Sequence, residues 1–177
     1  MILSDKDIVN LIKQSKLVIK PMPKHEDIRG PHVNLHLSNK IIKYKHDTLD
    51  LRDEDTADFD HILLDDNGYK LKPNEFILGS TIEKLSIPNG YFGLIETKGN
   101  IARAGIQAHN KDGHIEPGFS GNITLEIKNN SNSNVIIYPN MVFVYLYIFK
   151  LSSECIHPYN GMYQNQEGAT IYKKDRL

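Results

Sequence analysis

Cysteine and long apolar runs are the two features that this chain of 177 residues has least of. Cys155 is its one cysteine, so no disulfide can form within the chain, as is usual in a reducing compartment. The most apolar stretch, residues 141–149, is too short to cross a bilayer as a helix. The first residues lack the charged and then apolar order of an export signal. These absences predict a cytoplasmic protein that does not contact a membrane.

An excess of charge of either sign is also missing. The chain has 21 Lys and Arg residues and 22 Asp and Glu residues, which gives a formal net charge of −1. Proteins that bind nucleic acid over a whole surface usually carry a clear positive excess. The balance therefore argues against nucleic acid as a partner, and it leaves room for a local basic site that binds a phosphorylated small molecule.

Short apolar segments separated by turn residues make up most of the sequence. Val33, Leu35 and Leu37 alternate with polar residues, which is the period of a half-buried strand. Residues 66–68 (Asp-Asn-Gly) and 88–90 (Pro-Asn-Gly) are turn signals between such segments. Roughly ten strands of this kind predict an all-β sandwich or jelly-roll-like barrel, in a single domain of residues 1–177.

Two helices and an extended tail complete the predicted architecture. Ser4, followed three positions later by Asp7, has the pattern of a capped helix start. A second, short helix is predicted at residues 101–105. The tail, residues 152–177, has few large apolar groups, so we expect it to lie over the body as an extended arm.

Two polar patterns raise the question of a metal site. His32, Asn34 and His36 share one strand face, but no third ligand of matching spacing is near, which favours solvent-facing histidines. Residues 47–60 are acidic but lack the glycine and the glutamate of an EF-hand loop, which favours a solvated loop over a calcium site. The prediction is that side chains of this protein do not hold a metal themselves.

Residues 98–126 concentrate glycine, histidine and charge between segments that otherwise read as strands. Lys98, Gly99 and Asn100 precede the short helix, and Arg103 lies within it. A glycine that opens a helix lets an anion approach free backbone amides, and the two cations add positive charge. An ordinary exposed turn with two surface cations explains the same pattern, and spacing alone does not decide between them.

Acidic and imidazole groups follow later in the same stretch. Glu126 stands between Leu125 and Ile127, so it faces away from that apolar row, towards either solvent or a cleft. A carboxylate in a cleft can act as a general base that activates water. Residues 115–121 form a rigid bend that can present Glu116 and His114 to a ligand. Each of these residues also has an ordinary surface interpretation.

Three segments in order carry a resemblance to a known family: IARAGI, HIEPGFSGNITLEIKN and YNGMYQNQEGAT. With the opening MILSDKDI and the strand HVNLHLSNK, they extend it over nearly the whole chain. The sequence resembles the dCTP deaminase branch of the dUTPase superfamily. The resemblance implies a dUTPase-like distorted jelly roll or β-barrel, which agrees with the predicted strands.

The resemblance further implies a homotrimer whose active sites lie between subunits and are closed by the arm at 152–177. The substrate would be a deoxynucleoside triphosphate that carries Mg²⁺ on its phosphates, and water would attack C4 of cytosine. Glu126 matches the base that activates water, and Arg103 matches the arginine that orients the water and the departing amine. The residues that occupy the other substrate-binding positions of the family are Lys98, Gly99, Asn100, Asp112, His114, Glu116, Tyr159, Tyr163 and Gln166.

Several positions depart from the family pattern. Gly99 stands where the family has a serine whose hydroxyl positions water and touches phosphate, so phosphate binding can persist while water alignment weakens. Asp112 stands where a small residue is usual, and its carboxylate can reach an amino or imino donor of a different base, or exclude the usual substrate. Asn34 replaces an aspartate, and Met162 replaces a phosphate-binding lysine found in some members.

Three functions are compatible with these observations. The first is hydrolytic deamination of dCTP, or of a modified cytosine deoxynucleotide, to a uracil deoxynucleotide. The second is a catalytically impaired nucleotide-binding regulator or sponge, since Gly99, Asn34 and Met162 weaken chemistry and leave a pocket. The third is phosphoanhydride hydrolysis, as in a dUTPase.

Overall fold

The computed structural model describes residues 1–45, 48–53 and 57–174, and the protein is mainly β. The described part holds thirteen strands rather than the roughly ten expected from sequence. Its helices are α1 (Asp5–Lys13), a 3₁₀ turn (His25–Asp27) and α2 (Gly99–Arg103). The strands are β1 (Val18–Lys20), β2 (Ile28–Arg29), β3 (His32–His36), β4 (Lys40–Tyr44), β5 (Phe59–Leu63), β6 (Tyr69–Leu71), β7 (Phe76–Ser86), β8 (Tyr91–Thr97), β9 (Ile106–Gln107), β10 (His114–Ile115), β11 (Ser120–Asn129), β12 (Val135–Ile137) and β13 (Val142–Lys150).

Two antiparallel sheets form the body. The first has the order β5-β4-β7-β11-β9, with β1 also paired to β7. The second has the order β10-β8-β13-β3-β2, and a small β12-β6 pair stands apart from both. The longest strands, β7 and β11, pair along most of their length, with Leu125 opposite Gly79 and Glu126 opposite Leu78. This predicted mainly β, jelly-roll-like class is confirmed.

The core lies between the two sheets. Leu125 and Ile127 of β11 are fully buried, as are Leu146 and Ile148 of β13 in the other sheet, and all four belong to one hydrophobic cluster. Because side chains alternate along a strand, Glu126 between Leu125 and Ile127 projects from the opposite face of β11. The buried row thereby aims the carboxylate away from the core.

The N-terminal helix begins as the sequence predicts. Ser4 caps α1 through a reciprocal capping box with Asp7, and Ile8 and Leu11 are buried. Among the described residues, the helices are all too short or too polar to span a membrane.

Two sequence-based interpretations need correction. His32, Asn34 and His36 share one face of β3, but His36 is not simply solvent-facing: its Nδ1 lies 2.7 Å from Oε1 of the buried Glu83. The acidic segment predicted as a loop ends in strand β5, which contains Asp60. Residues 47 and 54–56 of that segment lie outside the described residues, as do residue 46 and residues 175–177 of the arm.

Candidate active site

A cavity of about 450 Å³ opens on the face of β11 that points away from the core. Its walls come from β11, from the segment around β10, from β4 and β7, and from the C-terminal arm. The lining residues are Tyr44, Leu49, Phe76, Leu78, Asp112, His114, Ile115, Glu116, Phe119, Ile123, Thr124, Glu126, Tyr159, Tyr163, Gln166, Thr170, Ile171 and Tyr172. Its size is within the range of small-molecule sites.

Most of the residues singled out from sequence meet in this cavity. It brings together Asp112, His114, Glu116, Glu126, Tyr159, Tyr163 and Gln166. The remaining four do not line it: Lys98, Gly99, Asn100 and Arg103. The predicted acid–base group and the predicted anion-binding group are therefore in different places on one chain.

The carboxylate of Glu126 is held from one side. The backbone N–H of Asn110 donates a hydrogen bond of 2.7 Å to Glu126 Oε2. A main-chain donor fixes the orientation of a carboxylate without bringing another charge into the site. A carboxylate that is oriented in this way, in a partly apolar cavity, has the geometry of a general base.

The loop between β9 and β10, residues 108–113, supplies that donor and is anchored to β8 at both ends. The amide of Ala108 donates to Thr97 Oγ1 at 2.9 Å, and the amide of Ile95 donates to the carbonyl of Gly113 at 2.7 Å. Gly113 is required here, because a Cβ atom would lie 2.6 Å from the carbonyl oxygen of Ile95. The path of the loop thus fixes the donor that orients Glu126.

Asp112 and His114 form a close pair on the cavity wall. His114 Nδ1 lies 2.5 Å from Asp112 Oδ1, and both side chains are more than half exposed. The imidazole lies nearly parallel to the ring of Phe92, with an interplanar angle of 3° and centroids 6.3 Å apart. The neighbouring strand therefore supports the histidine, and the histidine restrains one oxygen of the carboxylate.

His109 is a residue that sequence reasoning missed. Its Nε2 lies 3.4 Å from Glu96 Oε2, and its enclosed Nδ1 has no hydrogen-bond partner among residues 1–45, 48–53 and 57–174. It directly precedes Asn110, whose amide holds Glu126. In the sequence His109 is marked only by its place between the candidate residues Arg103 and Asp112. A lone histidine has no spacing to other residues that would indicate a function.

The C-terminal arm pairs with β11 instead of hanging free. Gln166 forms a parallel bridge with Gly121, and its Nε2 donates to the carbonyl of Asn122 at 2.6 Å. Further along, the amide of Thr170 donates to Thr124 Oγ1 at 3.2 Å. Gly121 has φ +141°, and a Cβ atom there would lie 2.9 Å from the backbone of Gln166. The close approach of the arm depends on that glycine.

Two tyrosines of the arm complete the apolar part of the wall. The ring of Tyr159 packs on Phe119 with centroids 5.7 Å apart, and its hydroxyl accepts a hydrogen bond of 3.1 Å from the amide of Tyr163. Both rings are positioned where the flat face of a base or a sugar could pack.

Helix α2 carries the predicted anion-binding group. Lys98 precedes Gly99 as the N-cap without a side-chain cap. The amide of Ile101 donates to Asn100 Oδ1 at 3.0 Å, which leaves the amides of Gly99 and Asn100 to a ligand. Arg103 is exposed and lies in the last turn. A Cβ atom on Gly99 would lie 3.4 Å from Arg103 Nη1, an ordinary contact, so a side chain fits at this position.

In the described part of the chain, no group of three or more His, Cys, Asp or Glu side chains is arranged to hold a metal ion. His36, Glu83 and Asp27 come nearest in composition, but His36 Nε2 and Asp27 Oδ1 are 3.9 Å apart and Glu83 occupies the other ring nitrogen.

Comparison with known proteins adds independent information. A family profile described as "dCTP deaminase-like" matches residues 2–151. This chain belongs to the dCTP deaminase-like family. The "dCTP deaminase, dUMP-forming" of Dictyoglomus turgidum is 34% identical over 183 residues, covering 98% of this chain and 94% of that protein. The "dCTP deaminase" of Buchnera aphidicola is 34% identical over 192 residues, covering 99% of this chain and 100% of that protein.

Solved structures agree on the fold of this dCTP deaminase-like protein. A 2′-deoxycytidine 5′-triphosphate deaminase from Agrobacterium tumefaciens aligns with a TM-score of 0.67 at 16% identity, covering 83% of this chain. This chain spans about half of that one, 47%. The dUTPase of Staphylococcus bacteriophage 80alpha aligns with a TM-score of 0.52 at 15% identity, covering 82% of this chain and 97% of that chain. The dUTPase-like fold is confirmed.

Proposed function

We propose that this protein is a dCTP deaminase, which hydrolyses the 4-amino group of the cytosine base. The observation that carries the proposal is the cavity in which Asn110 orients the carboxylate of Glu126, in a member of the dCTP deaminase-like family. The reaction consumes dCTP and water and yields a uracil deoxynucleotide and ammonia. Glu126 is the general base, and Arg103 orients the water and the departing amine.

The chemical steps balance with one carboxylate. Glu126 takes a proton from water while the oxygen adds to C4 and the C4–N3 π electrons move to N3, and it passes that proton to N3. Glu126 then takes the proton of the new C4 hydroxyl and passes it to the amino nitrogen. The C4–N4 bond breaks, and ammonia leaves as the 4-oxo group forms. Glu126 returns to its starting charge.

The charge of the cavity indicates which end of the nucleotide it takes. Three carboxylates line it, and neither lysine nor arginine does in the described part of the chain. Such a wall disfavours a triphosphate, so the base and sugar enter, with Glu116 near the sugar. Lys98, Arg103 and the amides of Gly99 and Asn100 then bind the phosphates of a nucleotide whose base lies in the cavity of a second copy, which supports a homotrimer with sites between subunits.

Mg²⁺ fits this arrangement as an ion carried by the triphosphate. When bound, the ion neutralises part of the charge of the triphosphate. The chain then contributes only Lys98, Arg103 and nearby backbone amides to phosphate binding.

The C-terminal arm is proposed to cover the cavity. The hydrogen bonds between residues of the arm (152–177) and β11 support that role. The arm and the body together form one proposed domain of residues 1–177. The cytoplasmic location stays a prediction.

The test is product analysis after incubation with dCTP and Mg²⁺. Ammonia and a uracil deoxynucleotide in equal amounts are the expected products. Release of ammonia together with pyrophosphate and dUMP would add the diphosphatase step, which the names of several relatives suggest. Pyrophosphate from dUTP without ammonia from dCTP would instead identify a dUTPase. Tight binding of dCTP with neither product would identify a nucleotide-binding regulator, the function that Gly99 favours.

A further inference from the structure

The cavity contains one carboxylate more than the proposed chemistry uses. Glu126 is assigned to water and Glu116 to the sugar, which leaves Asp112 without a role. Its side chain is 62% exposed and can therefore be reached by a ligand in the cavity.

Asp112 lies close to the reacting end of the cavity. Asn110, two residues earlier, donates its amide to Glu126, and two residues of extended chain span at most about 7 Å. Lys111 between them has φ +71°, which turns the loop. Asp112 and Glu126 are consequently on neighbouring parts of one wall, both lining the cavity.

His114 restrains Asp112 without consuming it as an acceptor. The imidazole contacts Oδ1 at 2.5 Å, while an ionised carboxylate has two oxygens with about four acceptor positions in all. The ring of Phe92 supports the imidazole from behind. The carboxylate of Asp112, restrained by His114, therefore presents an acceptor with no donor of its own, next to the general base.

We infer that Asp112, positioned by His114, determines specificity by selecting a 4-amino pyrimidine over a 4-oxo pyrimidine. The inference rests on the proposed function, because it requires a pyrimidine nucleotide in this cavity. The amino group of cytosine donates N–H bonds, which a carboxylate accepts. The 4-oxo group of uracil or thymine offers only lone pairs, which a carboxylate repels. Asp112 thus favours the substrate and hastens loss of the product.

The test compares dissociation constants of dCTP and dUTP in a protein that does not turn over. In a Glu126→Gln background, dCTP is expected to bind more tightly than dUTP. Adding Asp112→Asn keeps the shape and supplies a donor, so the ratio of the two constants should fall about tenfold or more. The matched control is Glu26→Gln, which removes one charge from an exposed position outside the cavity and should leave the ratio unchanged.

A second pair of variants tests the positioning role of His114. His114→Ala should lose part of the discrimination, and His114→Asn, whose amide can donate to Asp112 as Nδ1 does, should restore it. Melting temperatures identify any variant that fails to fold. Because both side chains are more than half exposed, we expect these substitutions to leave the fold intact.

The inference is overturned if Asp112→Asn changes the ratio of the two dissociation constants less than twofold, or if Glu26→Gln changes it by as much as Asp112→Asn does. Failure of dCTP to bind also overturns it. Failure of the proposed function gives a different result from failure of this inference. If the wild-type protein releases no ammonia from dCTP, the same ratio is measured on wild type and on Asp112→Asn alone. A tenfold fall there supports the role of Asp112 in a protein that only binds nucleotides.

Discussion

The backbone amide of Asn110 donates a hydrogen bond of 2.7 Å to Oε2 of Glu126. The first residue lies in the loop between β9 and β10, and the second lies on β11. The contact fixes one oxygen of a carboxylate that lines the cavity. Because the donor belongs to the main chain, the path of the loop, rather than the side chain of Asn110, controls the orientation of the base.

The glycine at the start of α2 yields the first prediction. Gly99→Ser places a hydroxyl beside Arg103, where a Cβ atom makes an ordinary contact of 3.4 Å with Nη1. We expect kcat for dCTP to rise about 100- to 1000-fold, since one positioned hydrogen bond in a transition state has an effect of that order. Steady-state ammonia release measures it.

Gly99→Ala is the matched control for that substitution. Alanine stabilises a helix by about 0.5–1 kcal/mol relative to glycine, and serine gives part of that stabilisation. Unlike serine, alanine adds no hydroxyl. Its kcat should stay at the wild-type level. If the alanine and serine variants gain equally, helix stability and not water alignment limits the enzyme.

The docking of the arm yields a second prediction. Gly121→Ala brings a Cβ atom within 2.9 Å of the backbone of Gln166, at a φ of +141° that alanine disfavours. We expect the arm to detach, so that limited proteolysis cleaves it faster and KM for dCTP rises.

The control is Gly168→Ala, which lies in the arm at φ +70° and has open space around it. It introduces backbone strain without a clash against β11. Cleavage rates that rise equally in the two variants would show that the pairing of Gly121 with Gln166 does not hold the arm.

A third prediction concerns pH and stability at Glu75. Its side chain is 9% exposed and contacts Lys43 Nζ at 2.5 Å, the hydroxyl of Tyr69 at 2.7 Å and the amide of Lys72 at 2.7 Å. Burial acts to raise the pKa of Glu75, but these contacts outweigh it and hold the pKa below the ordinary 4.5. The resulting stabilisation is present above pH 4.5 and is lost as the pH falls through the lowered pKa.

Glu75→Gln should therefore reduce the free energy of unfolding by about 1–3 kcal/mol at pH 7, because it weakens three contacts to an enclosed group. The difference from wild type should shrink below pH 4.5. Urea denaturation at pH 7, 5 and 4 measures it. A difference that stays constant over this range would show that the charge of Glu75 contributes nothing.

The separation of Arg103 from the cavity yields a fourth prediction. Arg103→Ala and Glu126→Gln should each lower turnover by about 100-fold or more, and co-expression of the two variants should restore part of it. In a randomly mixed homotrimer with sites between subunits, about a quarter of the sites combine both intact residues. Activity near zero in the purified mixed assemblies would contradict a shared site.

Much of this arrangement follows from local pattern. The alternation around Leu125 and Ile127 is enough to place Glu126 away from the core, because the period of a strand is fixed. Ser4 and Asp7 predict the cap of α1 for a similar reason, since the capping box is a contact between near neighbours.

Contacts between distant segments could not be derived in this way. His36 meets Glu83 across 47 positions, and nothing in the spacing of β3 indicates that partner. The extension of the cavity to Tyr44 and Tyr172 depends on how the arm crosses the sheet, which no local period encodes. Glu126 lines the cavity and the residues of α2 do not, which likewise follows from topology rather than from their closeness in sequence.

The most direct test of the central claim is the rate of ammonia release from dCTP by wild type and by Glu126→Gln. The proposed role of Glu126 predicts measurable release by wild type, in step with a uracil deoxynucleotide. It also predicts a rate about 10²–10⁴-fold lower in the variant, which should still bind dCTP. Equal rates in the two proteins, or no ammonia from wild type while dCTP stays bound, would contradict it.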